Sequence, residues 1–253
     1  LDWPSSENKP AIHAGLQALL TMCMDSGGRL MTTLGDDATA GLCRDASARL
    51  RRHVPPDNGS KQAAALLSLA GLRDPKDAAA VLRKDGPAGL STFYGFYVLE
   101  ALAKAGETDT ALDFIRRFWG AMIDRGATTF WEDFDRAWTN NTGRIDELLP
   151  ARREDLHGDR GAYCYQQFRH SFCHGWASGP TAWLSRHVLG VEPLEPGFKR
   201  VRIAPQLGNL RWAEGTYPTP LGPIRVRHER APDGSIKSDI QAPPGVTVER
   251  PRE

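Results

Sequence analysis

Leu189-Gly190-Val191-Glu192-Pro193-Leu194-Glu195-Pro196-Gly197-Phe198-Lys199-Arg200-Val201-Arg202-Ile203 is the stretch in which the chain changes periodicity. Before it, a helix is expected over roughly Gly175 to Leu189, with Gly190 as its stop. After it, apolar and polar residues alternate through Lys199–Ile203 and again through Ile224–His228, the signature of half-buried strands. Turn residues separate these runs: Pro196-Gly197, Leu207-Gly208-Asn209, Leu221-Gly222-Pro223, Asp233-Gly234 and Pro243-Pro244-Gly245. The reading is a helical domain over residues 1–190 and a small antiparallel β domain over 191–253.

Outward toward the N-terminus, apolar spacing is helical. Lys9 to Thr32 carries Ile12, Leu16, Leu19, Leu20, Met22, Cys23 and Leu30, with Gly27-Gly28 as an expected weak point. Asp36 to Arg52 is a second helix with Leu42 and Leu50 inward, closed by Pro55-Pro56. Ser60 caps a third through Leu72, and Asp74-Pro75 opens a fourth through Leu82, with Asp as cap and Pro at the first helical position. Ser91 or Thr92 begins a fifth that stops at Gly106, and Thr108 or Asp109 a sixth that ends near Arg125-Gly126. Antiparallel helices on short connections make an all-helical array. Thr128 to Arg169 is polar and aperiodic but rich in aromatics, which marks a segment serving a site rather than a disordered one.

The composition excludes several classes. Across 253 residues, 32 basic and 31 acidic side chains leave a formal charge of +1 with no long like-charged block, so no nucleic-acid footprint and no polybasic membrane anchor is visible. The longest apolar runs, such as Ala63 to Ala70, are far short of a bilayer span. Cys23, Cys43, Cys164 and Cys173 show no CxxC spacing; free thiols are expected, with a Cys164–Cys173 bridge the alternative in an exported protein. The chain begins at Leu1 without a signal-like segment, and its compartment is not readable.

Within the aperiodic segment, Gly126-Ala127-Thr128-Thr129-Phe130-Trp131-Glu132-Asp133-Phe134-Asp135 sets a carboxylate among aromatic rings. A Glu beside Trp and Phe suits proton exchange next to a sugar ring. The structural alternative is a helix start, with Thr128 or Thr129 as cap and Glu132 in an acidic first turn. A second string forty residues on, Ser171-Phe172-Cys173-His174-Gly175-Trp176, favours the first reading.

Five strings occur in order: Leu1-Asp2-Trp3-Pro4; Gly126 to Glu132; Ser171 to Trp176; Leu189-Gly190 with Pro196-Gly197-Phe198-Lys199; and Glu214-Gly215-Thr216 with Pro218-Thr219-Pro220. Together they resemble the C-terminal part of bacterial α-L-rhamnosidases, glycoside hydrolase family 78. The resemblance implies an (α/α)6 toroid glycosidase fold, incomplete at the N-terminus, followed by a small antiparallel β-sandwich. It implies hydrolysis of terminal α-L-rhamnosides with inversion and without a cofactor or metal, a rhamnose-containing glycoside as ligand, and the N-terminal half of the same enzyme as partner. Glu132 matches the Glu of the family's A-T-T-x-W-E motif, the general base. His174 matches the histidine of S-x-x-H, which contacts the bound sugar. Trp3 resembles a sugar-stacking tryptophan, Trp131 is a substrate-site residue expected to keep the site dry and hold Glu132 in place, and Asp2, Trp176, Phe93 and Tyr94 are further wall candidates. In that family the general acid lies upstream of the Asp-Trp string, so this chain alone is expected to carry the base without its partner and to hydrolyse little or nothing.

Asp133 and Asp135 read either as solvated charges or as groups that hold Glu132 or His174. A zinc site from Cys164, His170, Cys173 and His174 is disfavoured, because Cys-x5-His-x2-Cys-His matches no common template. His13, His53, His157, His187 and His228 read as surface or satisfied core histidines. Two other functions remain open at this point: a glucosidase, trehalase-like hydrolase or phosphorylase on the same kind of toroid, and a non-catalytic carbohydrate-binding protein.

Overall fold

The computed structural model describes Leu1 and residues 7–161 and 169–250. They form two compact units, Leu1–Ser178 and Gly179–Glu253. The helix expected over Gly175–Leu189 straddles that division, as a 3-10 turn at Gly175–Ala177 followed by α9 (Gly179–Trp183) and a π turn at Leu184–Val188.

The first unit is built from helical hairpins. α1 (Lys9–Leu34) and α2 (Asp37–Leu50) are joined through Gly35, whose φ of 78° supplies the left-handed step that ends α1. Asn8 and Asp36 cap the two N-termini by accepting from Ala11 N and Thr39 N. Gly27 and Gly28 do not weaken α1, which is continuous. They lie against α2, where a Cβ on Gly27 would stand 3.3 Å from Cys43 Sγ, so close helix packing offsets their low propensity. α2 turns Ala40 and Ser47 inward and leaves Leu42 70% exposed, contrary to its expected orientation.

α3 (Lys61–Leu69) starts at the Ser60 cap and α4 (Pro75–Arg83) at the Asp74 cap. Small residues let α1 and α3 approach closely, and Ala11, Ala14 and Ala18 meet Ala63, Leu66, Leu67 and Ala70 in one core cluster. Lys61, buried at the start of α3, donates Nζ to the carbonyls of Leu82, Lys84 and Gly86 and closes the end of α4. Burial pulls its ammonium down to about 8.

α5 runs from Gly95 to Lys104, a turn later than Ser91 or Thr92 suggested. Thr92 does not cap it, because its hydroxyl donates instead to the backbone carbonyl of Glu132. Gly95 is required by close approach: a Cβ there would collide with the ring of Trp119. α6 (Thr108–Phe114) passes through a π turn, Ile115–Trp119, into α7 (Gly120–Asp124). That irregular turn buries Phe118 and Trp119 on the side facing residues 130–138. Beyond α7 the described chain is mostly irregular, with a 3-10 turn at Arg136–Thr139 and a short α8 (Leu156–Asp159).

The second unit contains two three-stranded sheets. One has the order β1 (Val191–Pro193), β2 (Arg200–Ile203), β6 (Thr247–Glu249), and the other β3 (Trp212–Tyr217), β4 (Ile224–Arg230), β5 (Ile236–Gln241). Pairing is antiparallel except between β2 and β6, which run parallel. The alternation read in the sequence is the alternation of burial: Val201, Ile203, Ile224 and Val226 join Val191 in the core. His228 is a core histidine, with its two ring nitrogens on Ser238 Oγ and Leu189 O.

Candidate active site

Residues 129–134 and 170–176, some forty positions apart, run alongside one another in the first unit. Glu132 N donates to Ser171 O at 2.9 Å and His174 N to Phe130 O at 2.8 Å. Thr129 Oγ1 donates to Phe172 O. Between these bonds the ladder is completed by a side chain, since Ser171 N donates to Glu132 Oε2 at 3.0 Å. The carboxylate therefore has a fixed orientation. The carbonyl of Glu132 accepts from Trp176 Nε1 at 2.6 Å and from Thr92 Oγ1, so its backbone N–H and C=O are both satisfied.

This geometry overturns the helix-cap alternative. Glu132 lies in no helical turn, and the hydroxyl of Thr129 is spent on Phe172 rather than on a helix N-terminus. Phe130 and Glu132 are half-buried and Trp131, Asp133 and Phe134 buried along this irregular segment.

Trp131 is fully enclosed. It stacks on Phe172 with ring centroids 4.7 Å apart and meets Phe134 edge-on at 5.7 Å. Its contact is with the protein interior, beneath the irregular segment that carries Glu132. On the open side, Trp176 is 37% exposed and its ring lies 4.5 Å from that of His174. Phe93 meets Trp176 at 5.8 Å and Tyr94 at 5.0 Å, extending an aromatic run away from Glu132. The structure thus gathers Glu132, His174 and Trp176, with Tyr94 reached through Phe93. Asp2, Trp3 and Cys164 lie outside the described residues.

The neighbouring carboxylates have structural tasks. Asp133 is buried and its Oδ1 accepts from Phe134 N at 2.8 Å, while Asp135 caps the following 3-10 turn through Ala137 N at 2.8 Å. Among the described residues no group of three His, Cys, Asp or Glu side chains has the arrangement of a metal site.

His170 was considered in the sequence only as a metal ligand; the structure gives it another place. It is 1% exposed, and its Nε2 accepts from Asp133 N at 3.1 Å. Burial is the main cause that pushes this imidazole down to about 4, with the charge of Glu132 opposing the shift. The neutral ring is the form that can accept from Asp133 N; protonated at Nε2, it would turn a donor against a donor. Because the folded value lies below the unfolded value of 6.5, the unfolded chain binds the extra proton first as pH falls. His170 therefore contributes stability that is present above pH 6.5 and is lost between pH 6.5 and 4, on the order of 3 kcal/mol. Urea unfolding at pH 7 and pH 4.5 is expected to show a smaller acid loss in His170→Asn than in the parent; equal losses would contradict this account.

A bacterial α-L-rhamnosidase six-hairpin glycosidase domain matches residues 91–188, and a bacterial α-L-rhamnosidase C-terminal domain matches residues 190–249. An α-L-rhamnosidase of Streptomyces avermitilis is 25% identical over 272 aligned positions, covering 98% of this chain and 24% of that protein. One from an Alteromonas species is 31% identical over 140 positions, 53% of this chain and 13% of its own length. Among solved structures, the family 78 rhamnosidase of Bacillus sp. GL1 superposes with a TM-score of 0.70 at 25% identity, over 92% of this chain and 25% of that one. The Streptomyces avermitilis α-L-rhamnosidase complexed with L-rhamnose gives 0.69 at 22% identity, over 92% and 22%. The chain spans about a quarter or less of the length of these relatives.

Proposed function

We propose that this chain, which matches the bacterial α-L-rhamnosidase six-hairpin glycosidase domain over residues 91–188 and the C-terminal domain of the same family over residues 190–249, serves hydrolysis of terminal α-L-rhamnosides with Glu132 as general base. The observation that carries this reading is the carboxylate itself. Oε2 is held by Ser171 N, whereas no described group bonds Oε1, on a half-buried residue whose backbone carbonyl accepts from Trp176 Nε1, the ring packed on His174. Oε1 takes the proton of a water that attacks the anomeric carbon, and Ser171 N keeps the carboxylate aimed while it does so. The indole of Trp176 offers an apolar face to the C–H groups and methyl of a 6-deoxy sugar, and His174 a ring nitrogen to its hydroxyls. On this reading the paired segment holds Glu132, and the buried ring of Trp131, stacked on Phe172, anchors that segment.

Inversion also needs an acid on the opposite face of the sugar, roughly 6.5–9.5 Å from the base. Asp133 and Asp135 are committed to backbone N–H groups, so neither is offered for that task. We assign the acid to residues of the enzyme outside these 253. The test is a panel of aryl glycosides and trehalose given to the enzyme that contains this chain and to the chain alone. The α-L-rhamnoside is expected to be cleaved by the former, with little or no turnover by the latter. Cleavage of an α-glucoside or trehalose in its place would favour a different toroid enzyme. Rhamnoside turnover by the chain alone, lost in Glu132→Gln, would refute the placement of the acid.

A further inference from the structure

Glu132 is held from two directions. Ser171 and Trp176 bond its backbone and carboxylate from a segment that, like its own, lies outside any α-helix or strand. Thr92 reaches its carbonyl from the turn that leads into α5. We propose that Thr92 is a positioning residue for the reaction: its hydroxyl ties the backbone of the base to α5 and so keeps the carboxylate in reach of the attacking water. The proposal rests on the reading of Glu132 as base and adds a residue to it.

The hydroxyl gives up a local task to do this. A Thr at the mouth of a helix ordinarily caps it. Among the described residues α5 has no side-chain cap, and backbone bonds close its first turn instead, Gly95 N to Ser91 O at 2.8 Å and Phe96 N to Phe93 O at 3.3 Å. Thr92 is 0% exposed, so water does not compete for the bond it makes forty residues away. Its footing is firm, because Val98, Leu99 and Leu102 bury α5 in the first unit. The same turn braces the other donor, since Phe93 packs on Trp176 with ring centroids 5.8 Å apart. Thr92 and Trp176 together use both lone pairs of the Glu132 carbonyl. Glu132 and Ser171 hold each other, which leaves the pair to be registered against the helices, and Thr92 does that. Registration matters because the acid is carried elsewhere in the enzyme, and a shift of about 1 Å between reacting groups costs on the order of 10²-fold.

The test uses the enzyme that contains this chain. Thr92→Val keeps the shape and removes the donor. It is expected to lower kcat for 4-methylumbelliferyl α-L-rhamnoside by about 10- to 100-fold with KM within about threefold, and Thr92→Ser to restore kcat to within about threefold of the parent. A merely structural role would not give the next result. Azide-supported turnover of Glu132→Ala needs no base, so adding Thr92→Val to that variant is expected to change it by less than about twofold. Parental kcat in folded Thr92→Val, or an equal loss in the azide reaction, would overturn the proposal. Should Thr92→Val not fold, Thr92→Ala is put through the same two measurements. Failure of the base reading looks different: Glu132→Gln would then keep its activity, whereas failure of this proposal leaves Glu132→Gln slow and Thr92→Val unimpaired.

Discussion

Glu132→Gln is expected to lower kcat for an α-L-rhamnoside by about 10²- to 10⁴-fold in the enzyme that contains this chain, the usual contribution of a general base. The substitution is nearly isosteric, and its amide oxygen can still accept from Ser171 N, so the pairing of segment 129–134 with 170–174 is kept. What is lost is the proton acceptor. KM is therefore expected to change by less than about tenfold, because an interaction made mainly in the transition state is removed. Asp135→Asn is the matching control: its carboxylate is exposed and caps a 3-10 turn, a task that an Asn side chain also performs. Activity within tenfold of the parent in Glu132→Gln would contradict the role given to this residue.

The second large effect concerns folding. Trp131→Ala is expected to cost about 3–5 kcal/mol, the range for truncating a fully buried aromatic side chain. Trp131 has 0% exposure, stacks on Phe172 and touches Phe134, which in turn meets Phe118 and Trp138. Its removal opens a cavity under the segment that aims Glu132, so activity is expected to fall with stability. Trp131→Phe separates anchoring from sugar contact. It restores a ring for Phe172, and because the indole N–H has no hydrogen-bond partner among the described residues, no such bond is sacrificed. A loss below about 2 kcal/mol with most activity retained is expected for Phe. Denaturant unfolding of both variants checks this; a cost below 1 kcal/mol for Trp131→Ala would mean that the ring is not an anchor.

The elements that follow local rules were legible. Ser60, Asp74-Pro75 and Asp36 announced the helices they cap, and the alternation in Arg200–Ile203 and Ile224–His228 announced two strands. What was not legible depends on partners distant in sequence. Thr92 looked like a helix cap because nothing local reveals that Glu132, forty residues on, needs a donor for its carbonyl. Leu42 looked like core because helical spacing says which residues share a face, not which face meets the next helix.

At the site, the A-T-T-x-W-E and S-x-x-H resemblances pointed to Glu132 and His174, and the structure brings their two segments together through backbone hydrogen bonds. It also resolves an ambiguity that the residue types left. Trp131 and Trp176 were both assigned to the substrate site, yet one is sealed in the interior and the other is partly exposed. Nothing in Phe130-Trp131-Glu132-Asp133 signals that difference, because two apolar residues are followed by two acidic ones and the burial is set by the finished fold. His170 carried no such signal, because its state is set by burial and by the Asp133 N–H, both products of the finished fold.

The most direct test of the base assignment is chemical rescue. In the enzyme containing this chain, Glu132→Ala removes the proton acceptor and leaves space beside the anomeric carbon for a small anion that needs no deprotonation. With azide and 4-methylumbelliferyl α-L-rhamnoside, turnover is expected to recover and the product, followed by proton NMR, to be the β-L-rhamnosyl azide, formed by attack from the face where Glu132 would have held water. A folded Glu132→Ala enzyme that azide does not rescue, or one that yields the α-configured azide, would contradict the assignment of Glu132 as the base.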